Sequence, residues 1–360
     1  MSSGNLRFYH SFLHSLILIN SKMFMKTFIH YLCILISVLT IASCENDLPF
    51  NVKDNPPKLV MNALINADSL TNIVFLNLTG KERVTHIQNA TLEVRVNGVL
   101  TEQLRPLPIE SEYSVPQCQF KITGKLSSGD VLRLDALTDD GQYHAWAEVT
   151  VPRRPAEIEK IDTLTIPFTE SSFTTEFLRH KITFRDLPDE NNYYRIIMDT
   201  RVIQMLRNED NELYTKTWHN YNFVYREDIV LTDGQPSTEN DENNGMFDIA
   251  KNVYGVFDDS RFKNSPYTMT VYVPRYIFQS YDGPYPSAKV DIIVHLLSIT
   301  ESEYYYLKAL NLIDSDAFDD TINDPIKYPS NVHGGTGIVG ISTEVSKVIH
   351  IMDNREASFL

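Results

Sequence analysis

The chain has 360 residues, with 32 Lys or Arg against 47 Asp or Glu and a formal net charge of −15. So acidic a surface repels phosphate backbones, which argues against a nucleic-acid ligand. The length allows one large domain or two ordinary ones, and three cysteines allow no disulfide framework.

The stretch from Phe28 to Ala42 is apolar, follows Lys26, and gives way at once to polar and acidic residues. This is the order of a signal peptide, and the uninterrupted part falls short of the ~20 apolar residues that span a bilayer. It ends Ile41-Ala42-Ser43-Cys44, which resembles a bacterial lipobox. Residues 1–43 are therefore expected to be the signal, with 1–24 a mis-called start ahead of Met25. Cys44 is expected to carry lipid, and residues 44–57 to form a polar, proline-bearing tether. Several acyl chains, at ~0.8 kcal/mol per buried CH₂, would hold such a protein on a membrane. Removing residues 1–43, which carry Arg7, Lys22 and Lys26 and no acid, takes the net charge to −18. Only Cys118 then remains as a thiol, in strand-like flanks that mark it as structural.

Short runs rich in β-branched residues follow, bounded by turn residues. The first two cover residues 59–65 and 73–78. A third, at 91–96, ends on Asn97-Gly98, the strongest short-range hairpin signal. Runs at 131–137 and 143–151 are turned by Asp139-Asp140-Gly141. This spacing predicts an immunoglobulin-like β-sandwich over 58–152, closed by Pro152-Arg153-Arg154-Pro155. A larger β-rich domain is expected over 153–360, with strands at 160–167, 181–184, 193–198, 267–277, 289–299 and 337–351. Residues 232–245 read as an acidic, polar loop. Near 301–314 a helix is expected: Thr300 and Glu303 form a capping box, and Tyr304, Leu307, Leu310 and Ile313 recur at helical spacing. The predicted class is all-β with one conspicuous helix.

The sequence displays no catalytic constellation, so a non-enzymatic role without a cofactor is expected. Gly335-Thr336-Gly337-Ile338-Val339-Gly340 fits the dinucleotide fingerprint in spelling only, because β-branched sequence follows it and the chain ends at Leu360. Its glycines are better explained by positive φ at a tight strand start. His333-Gly334-Gly335 is similar to a lipase oxyanion loop, yet no G-x-S-x-G elbow accompanies it. Asp314, Asp316 and Asp319 are weak calcium candidates, since Asp319 occupies the glycine position of an EF-hand loop and Pro325 that of its bidentate Glu. Asp258-Asp259 is discounted similarly. No zinc pattern occurs, and His86, His144, His180, His219, His295 and His350 are scattered singly and read as structural. The Gly/Pro-rich turn 279–286 makes Tyr281 and Tyr285 the ligand-contact candidates. Asp68-Ser69-Leu70, Asp162-Thr163-Leu164 and Asp320-Thr321-Ile322 are similar to the O-glycosylation sequon of exported Bacteroidetes proteins.

The C-terminal order is distinctive: residues 296–300 lead into Tyr304-Tyr305-Tyr306-Leu307, then an acidic loop, then Pro329-Ser330-Asn331-Val332-His333-Gly334-Gly335-Thr336-Gly337-Ile338-Val339-Gly340. With the lipobox and Leu59-Val60-Met61-Asn62-Ala63, it resembles the Bacteroidetes lipoprotein family called domain of unknown function 4249. Val339 stands where members usually carry an aromatic. The resemblance implies a lipid-anchored protein at the outer-membrane surface, partnering a TonB-dependent transporter in nutrient capture. It supplies no catalytic residues. The competing expectation is a glycan- or matrix-binding adhesin.

Overall fold

The computed structural model describes residues 56–80, 85–87, 89–108, 118–170, 173–222, 225–226, 228–234, 252–274, 288–313 and 328–353. Contacts divide the chain into Met1–Pro56 and Pro57–Leu360, and every element below belongs to the second unit. No helix among the described residues is long and apolar enough to cross a membrane.

The protein is built from β-strands and, among the described residues, one helix. In chain order the strands are β1 Leu59–Asn66, β2 Asn72–Leu78, β3 Thr85–His86, β4 Ala90–Val96, β5 Val99–Leu104, β6 Cys118–Ile122, β7 Val131–Thr138, β8 His144–Thr150 and β9 Lys160–Glu170. There follow β10 Phe173–Arg185, β11 Tyr193–Arg207, β12 Leu213–Asn222, β13 Tyr225–Arg226, β14 Val256–Asp258, β15 Pro266–Pro274, β16 Ala288–Ile299, the helix α1 Glu301–Ile313, and β17 Thr336–Asp353. A nine-stranded sheet runs β12-β11-β16-β17-β1-β2-β3, with β14 beside β11 and β6 beside β2. Two four-stranded sheets, β5-β4-β7-β8 and β13-β15-β10-β9, complete the fold.

Strand alternation explains how these sheets meet. In β1, Leu59, Met61, Ala63 and Ile65 are buried while their neighbours are not, which gives the sheet one apolar face. Those residues join Leu92, Leu134, Ala147 and their neighbours in one core, between β1-β2-β6 and β5-β4-β7-β8. A second core gathers Tyr194, Ile196 and Met198 of β11, Ile292 and Val294 of β16, and Ile182, Met269 and Val271 of the third sheet. The 18-residue β17 belongs to both: Val339 and Ile341 lie in the first core and Val345 in the second.

That shared strand bears on the expected domain organisation. The chain does leave strand structure at residues 151–159. Yet β1 pairs in parallel with β17, Val60 opposite Thr336 through Asn66 opposite Ser342. The immunoglobulin-like sandwich expected over 58–152 is therefore not confirmed as a separate body. Its strands β1, β2, β3 and β6 complete a sheet whose other strands come from beyond residue 192.

Local signals were sound where they were local. Asn97 and Gly98 have φ of 52° and 80° and turn β4 into β5. Thr300 Oγ1 accepts the Glu303 N–H at 3.4 Å, but the reciprocal half of the capping box does not form. The Thr300 N–H donates to Ile341 O instead, and the Glu303 side chain turns into the protein. Tyr304 and Leu307 are buried beneath α1 with Val256, Leu297 and Ile299, whereas Leu310 only packs against that cluster.

Candidate functional site

The outer face of the nine-stranded sheet has two zones. The apolar side of β11 and β16 is committed to the second core, so Arg195, Ile197, Asp199 and Arg201 of β11 turn outward, as do Lys289, Asp291, Ile293 and His295 of β16. Helix α1 covers one zone and the other is an ionic row.

In the covered zone, Glu303 is 2% exposed, and its Oε2 has no hydrogen-bond partner among the described residues. Burial raises this carboxyl to about 7, against a smaller downward pull from Arg195. Arg195 donates through Nε to Tyr254 O at 3.0 Å. A side chain at Gly340 would put its Cβ 2.6 Å from Glu303 Oε2, so the glycine makes the seat for this carboxyl. Tyr193 donates to Glu301 Oε1 at 2.9 Å, and its ring lies 4.8 Å from that of Tyr304.

In the other zone, strand register aligns His219 of β12 with Arg201, Arg201 with Asp291, and Asp291 with His350 of β17. Asp291, with a side chain 0% exposed, accepts from Arg201 at 2.7 Å and is hydrogen-bonded to His350 Nδ1 at 2.6 Å, with Lys289 Nζ 3.5 Å away. Burial acts to raise its carboxyl, but the hydrogen bonds from Arg201 and His350 and the charges of Lys289 and Arg201 hold it below the usual range. Asp199, 4% exposed, holds His219 Nδ1 at 2.6 Å, and its Oδ1 has no partner among the described residues. The acids are thus buried and the bases stand outward, with the side chains of His219 and His350 47% and 70% exposed. Both rings keep Nε2 free of these carboxylates, which suits them to meet a ligand. They lie three strand spacings apart, about 14 Å, too far to share one metal ion. No group of three or more His, Cys, Asp or Glu among the described residues is placed to hold one.

A polar hollow of about 270 Å³, lined by Asp68, Arg154, Glu157, Glu344, Val345 and Ser346, opens elsewhere. Three of its charges are already engaged: Arg154 with Asp68 and with Glu344 O, and Glu344 with Asn66 at 2.9 Å and His295 at 3.5 Å.

The match to known families settles the relationship. Residues 45–348 match the family described as domain of unknown function, DUF4249. The chain belongs to this family. No curated protein matches it.

Of the residues singled out in sequence, Cys44, Tyr281, Tyr285, Asp314, Asp316 and Asp319 all lie outside the described residues. The glycine run does begin a strand: Gly337 has φ 115°, and Gly335 and Gly337 press on the carbonyls of Leu59 and Met61. His333 bridges to Trp146 through both backbone groups and stacks on its ring at 4.1 Å, while Arg133 sits 4.0 Å from the same ring centre. Asp259 accepts from the Asn192 N–H at 3.0 Å and Asp258 from Tyr304 at 3.1 Å, roles internal to the fold. His180 is buried beside Thr163, which fits the structural reading. His219 and His350 do not: they share one row. Nothing in local spacing signals that row, because Arg201 and Asp291 stand 90 positions apart.

Cys118 is 3% exposed, and burial, with the charge of Asp139, pushes its thiol up to about 11. Iodoacetamide at pH 8 should leave Cys118 unlabelled in the folded protein and label it in urea, as read by peptide mass spectrometry. Rapid labelling of the native state would contradict the structural role.

Proposed function

We propose that this protein is an exported lipoprotein, anchored through Cys44 at the outer-membrane surface, that serves a TonB-dependent transporter as a non-enzymatic accessory in nutrient capture. The observation that carries the reading is a coincidence of boundaries. The family match begins at residue 45, directly after the cysteine that ends Ile41-Ala42-Ser43-Cys44. The matched body thus begins one residue after the cysteine that signal cleavage would leave at the N-terminus. The outer face adds support, since it presents outward donors on a rigid sheet, as a binding accessory requires.

The test is a mild-detergent pull-down of the tagged protein from outer membranes, beside a Cys44→Ser variant. The wild-type chain should fractionate with the membrane and bring down a transporter in near-equal amount. Cys44→Ser should be lost from the membrane fraction. Membrane retention of Cys44→Ser would remove the anchor from the proposal, and an empty pull-down with unchanged uptake in a deletion strain would remove the partnership.

A further inference from the structure

We propose that the open zone of the outer face, between β12 and β17, binds a carboxylated oligosaccharide, with a sugar ring against Tyr221 and carboxylate groups against the row His219–Arg201–His350. The inference stands apart from the transporter reading and would hold if that partnership failed.

Three observations carry it. The first is the ring. Tyr221 sits on β12 two residues from His219 and opposite Asp199, so it shares the face of the row, and it is 76% exposed. An aromatic left so bare on a strand face contributes no packing, whereas a pyranose face laid on it would cover both apolar surfaces. Val348, opposite Ile293 on the same face, is 43% exposed and extends the apolar ground on the far side.

The second is the arrangement of charge. Asp291 is buried and engaged by Arg201, Lys289 and His350, and Asp199 is buried and meets His219 through one oxygen. A ligand approaching from solvent meets the bases and not the acids. An imidazolium held at Nδ1 by a buried carboxylate offers Nε2–H to a ligand carboxylate, and a neutral ring so held offers Nε2 to a sugar hydroxyl. An acidic sugar carries both partners.

The third is scale. Chain-wide repulsion from a net charge of −15 is screened over ~8 Å at physiological salt, while the row acts at contact distance. The two histidines span about 14 Å across the strands, room for more than one sugar unit. The row is also remote from where β1 joins β17. His350 follows Ser342, the last residue of β17 paired with β1, by eight residues, or about 26 Å of extended strand.

The experiment uses the full chain in mild detergent and isothermal titration with oligogalacturonide, oligomannuronate, the methyl ester of the former, and hexaglutamate. At least one free-acid oligosaccharide should bind, with the methyl ester roughly tenfold weaker. Tyr221→Ala, at an exposed side chain, should weaken binding by roughly tenfold with an unchanged thermal midpoint, and His350→Gln should weaken it by a similar factor. Failure of both uronates to bind would overturn the proposal. So would binding that neither substitution alters, or equal binding of hexaglutamate, which would mark a site for charge alone.

Discussion

Gly337→Ala is expected to destabilise the protein by about 3 kcal/mol or more, one of the largest effects available from a single added methyl group. Two costs combine. Gly337 has φ 115°, a region that side-chain-bearing residues occupy at about 1–3 kcal/mol. Its added Cβ would also lie 2.2 Å from Met61 O and 2.7 Å from Asn62 Oδ1, contacts no structure tolerates. Relief requires β17 to move away from β1, and that parallel pairing of residues 60–66 with 336–342 is what joins the two ends of the unit. Gly98→Ala supplies the comparison. Its φ of 80° is also positive, but its Cβ would meet nothing within 4 Å, so only the backbone cost of about 1 kcal/mol applies. Urea titrations of both variants separate the costs. Equal losses would mean that the close approach of β1 and β17 contributes nothing beyond backbone strain.

This contrast marks the limit of what the sequence discloses. Signals that act over a few residues are readable: Asn97-Gly98 turns a hairpin, Gly141 at φ 70° ends the turn between β7 and β8, and Thr300 starts a helix. Each is decided by backbone sterics within a handful of positions. The parallel pairing of β1 with β17 is not, because it joins residues 276 apart and a one-sided apolar strand says nothing of its neighbour. The break at Pro152 shows the consequence. The chain leaves strand structure there, but such a break becomes a domain boundary only if no later strand returns across it, and β17 returns. The candidate site failed to announce itself for the same reason. His219, Arg201, Asp291 and His350 come from four strands and meet through register alone. Glu303 is the reverse case, a residue whose capping signal was legible but whose side chain is spent on a buried contact with Gly340.

The stability advantage of the wild-type chain over Glu303→Gln should shrink as pH rises from about 4.5 and change no further above about 7. Glu303 titrates near 4.5 when unfolded and about 7 when folded, chiefly through burial. The folded state therefore holds a proton that the unfolded chain gives up. The stability that this neutral carboxyl brings is full below its unfolded value and is lost as pH rises through its folded one. At about 1.36 kcal/mol per pH unit the loss amounts to about 3 kcal/mol. His180 works in the opposite sense. Burial pulls its imidazole from 6.5 to about 4, so its contribution is present above 6.5 and lost as pH falls through about 4. Between 4.5 and 6.5 the two contributions offset each other in the wild-type chain. Glu303→Gln removes one side, and the His180 slope should then emerge as stability that grows with pH over that window. The amide brings two donors into a site where Oε2 already lacks a partner, a cost of about 1–3 kcal/mol at every pH. The absolute stability of the variant is thus a poor test, and the slope of the difference is a good one. Urea titrations at pH 4.5, 6.5 and 8 measure it, and parallel curves for the two proteins would show that folding does not change the protonation of Glu303.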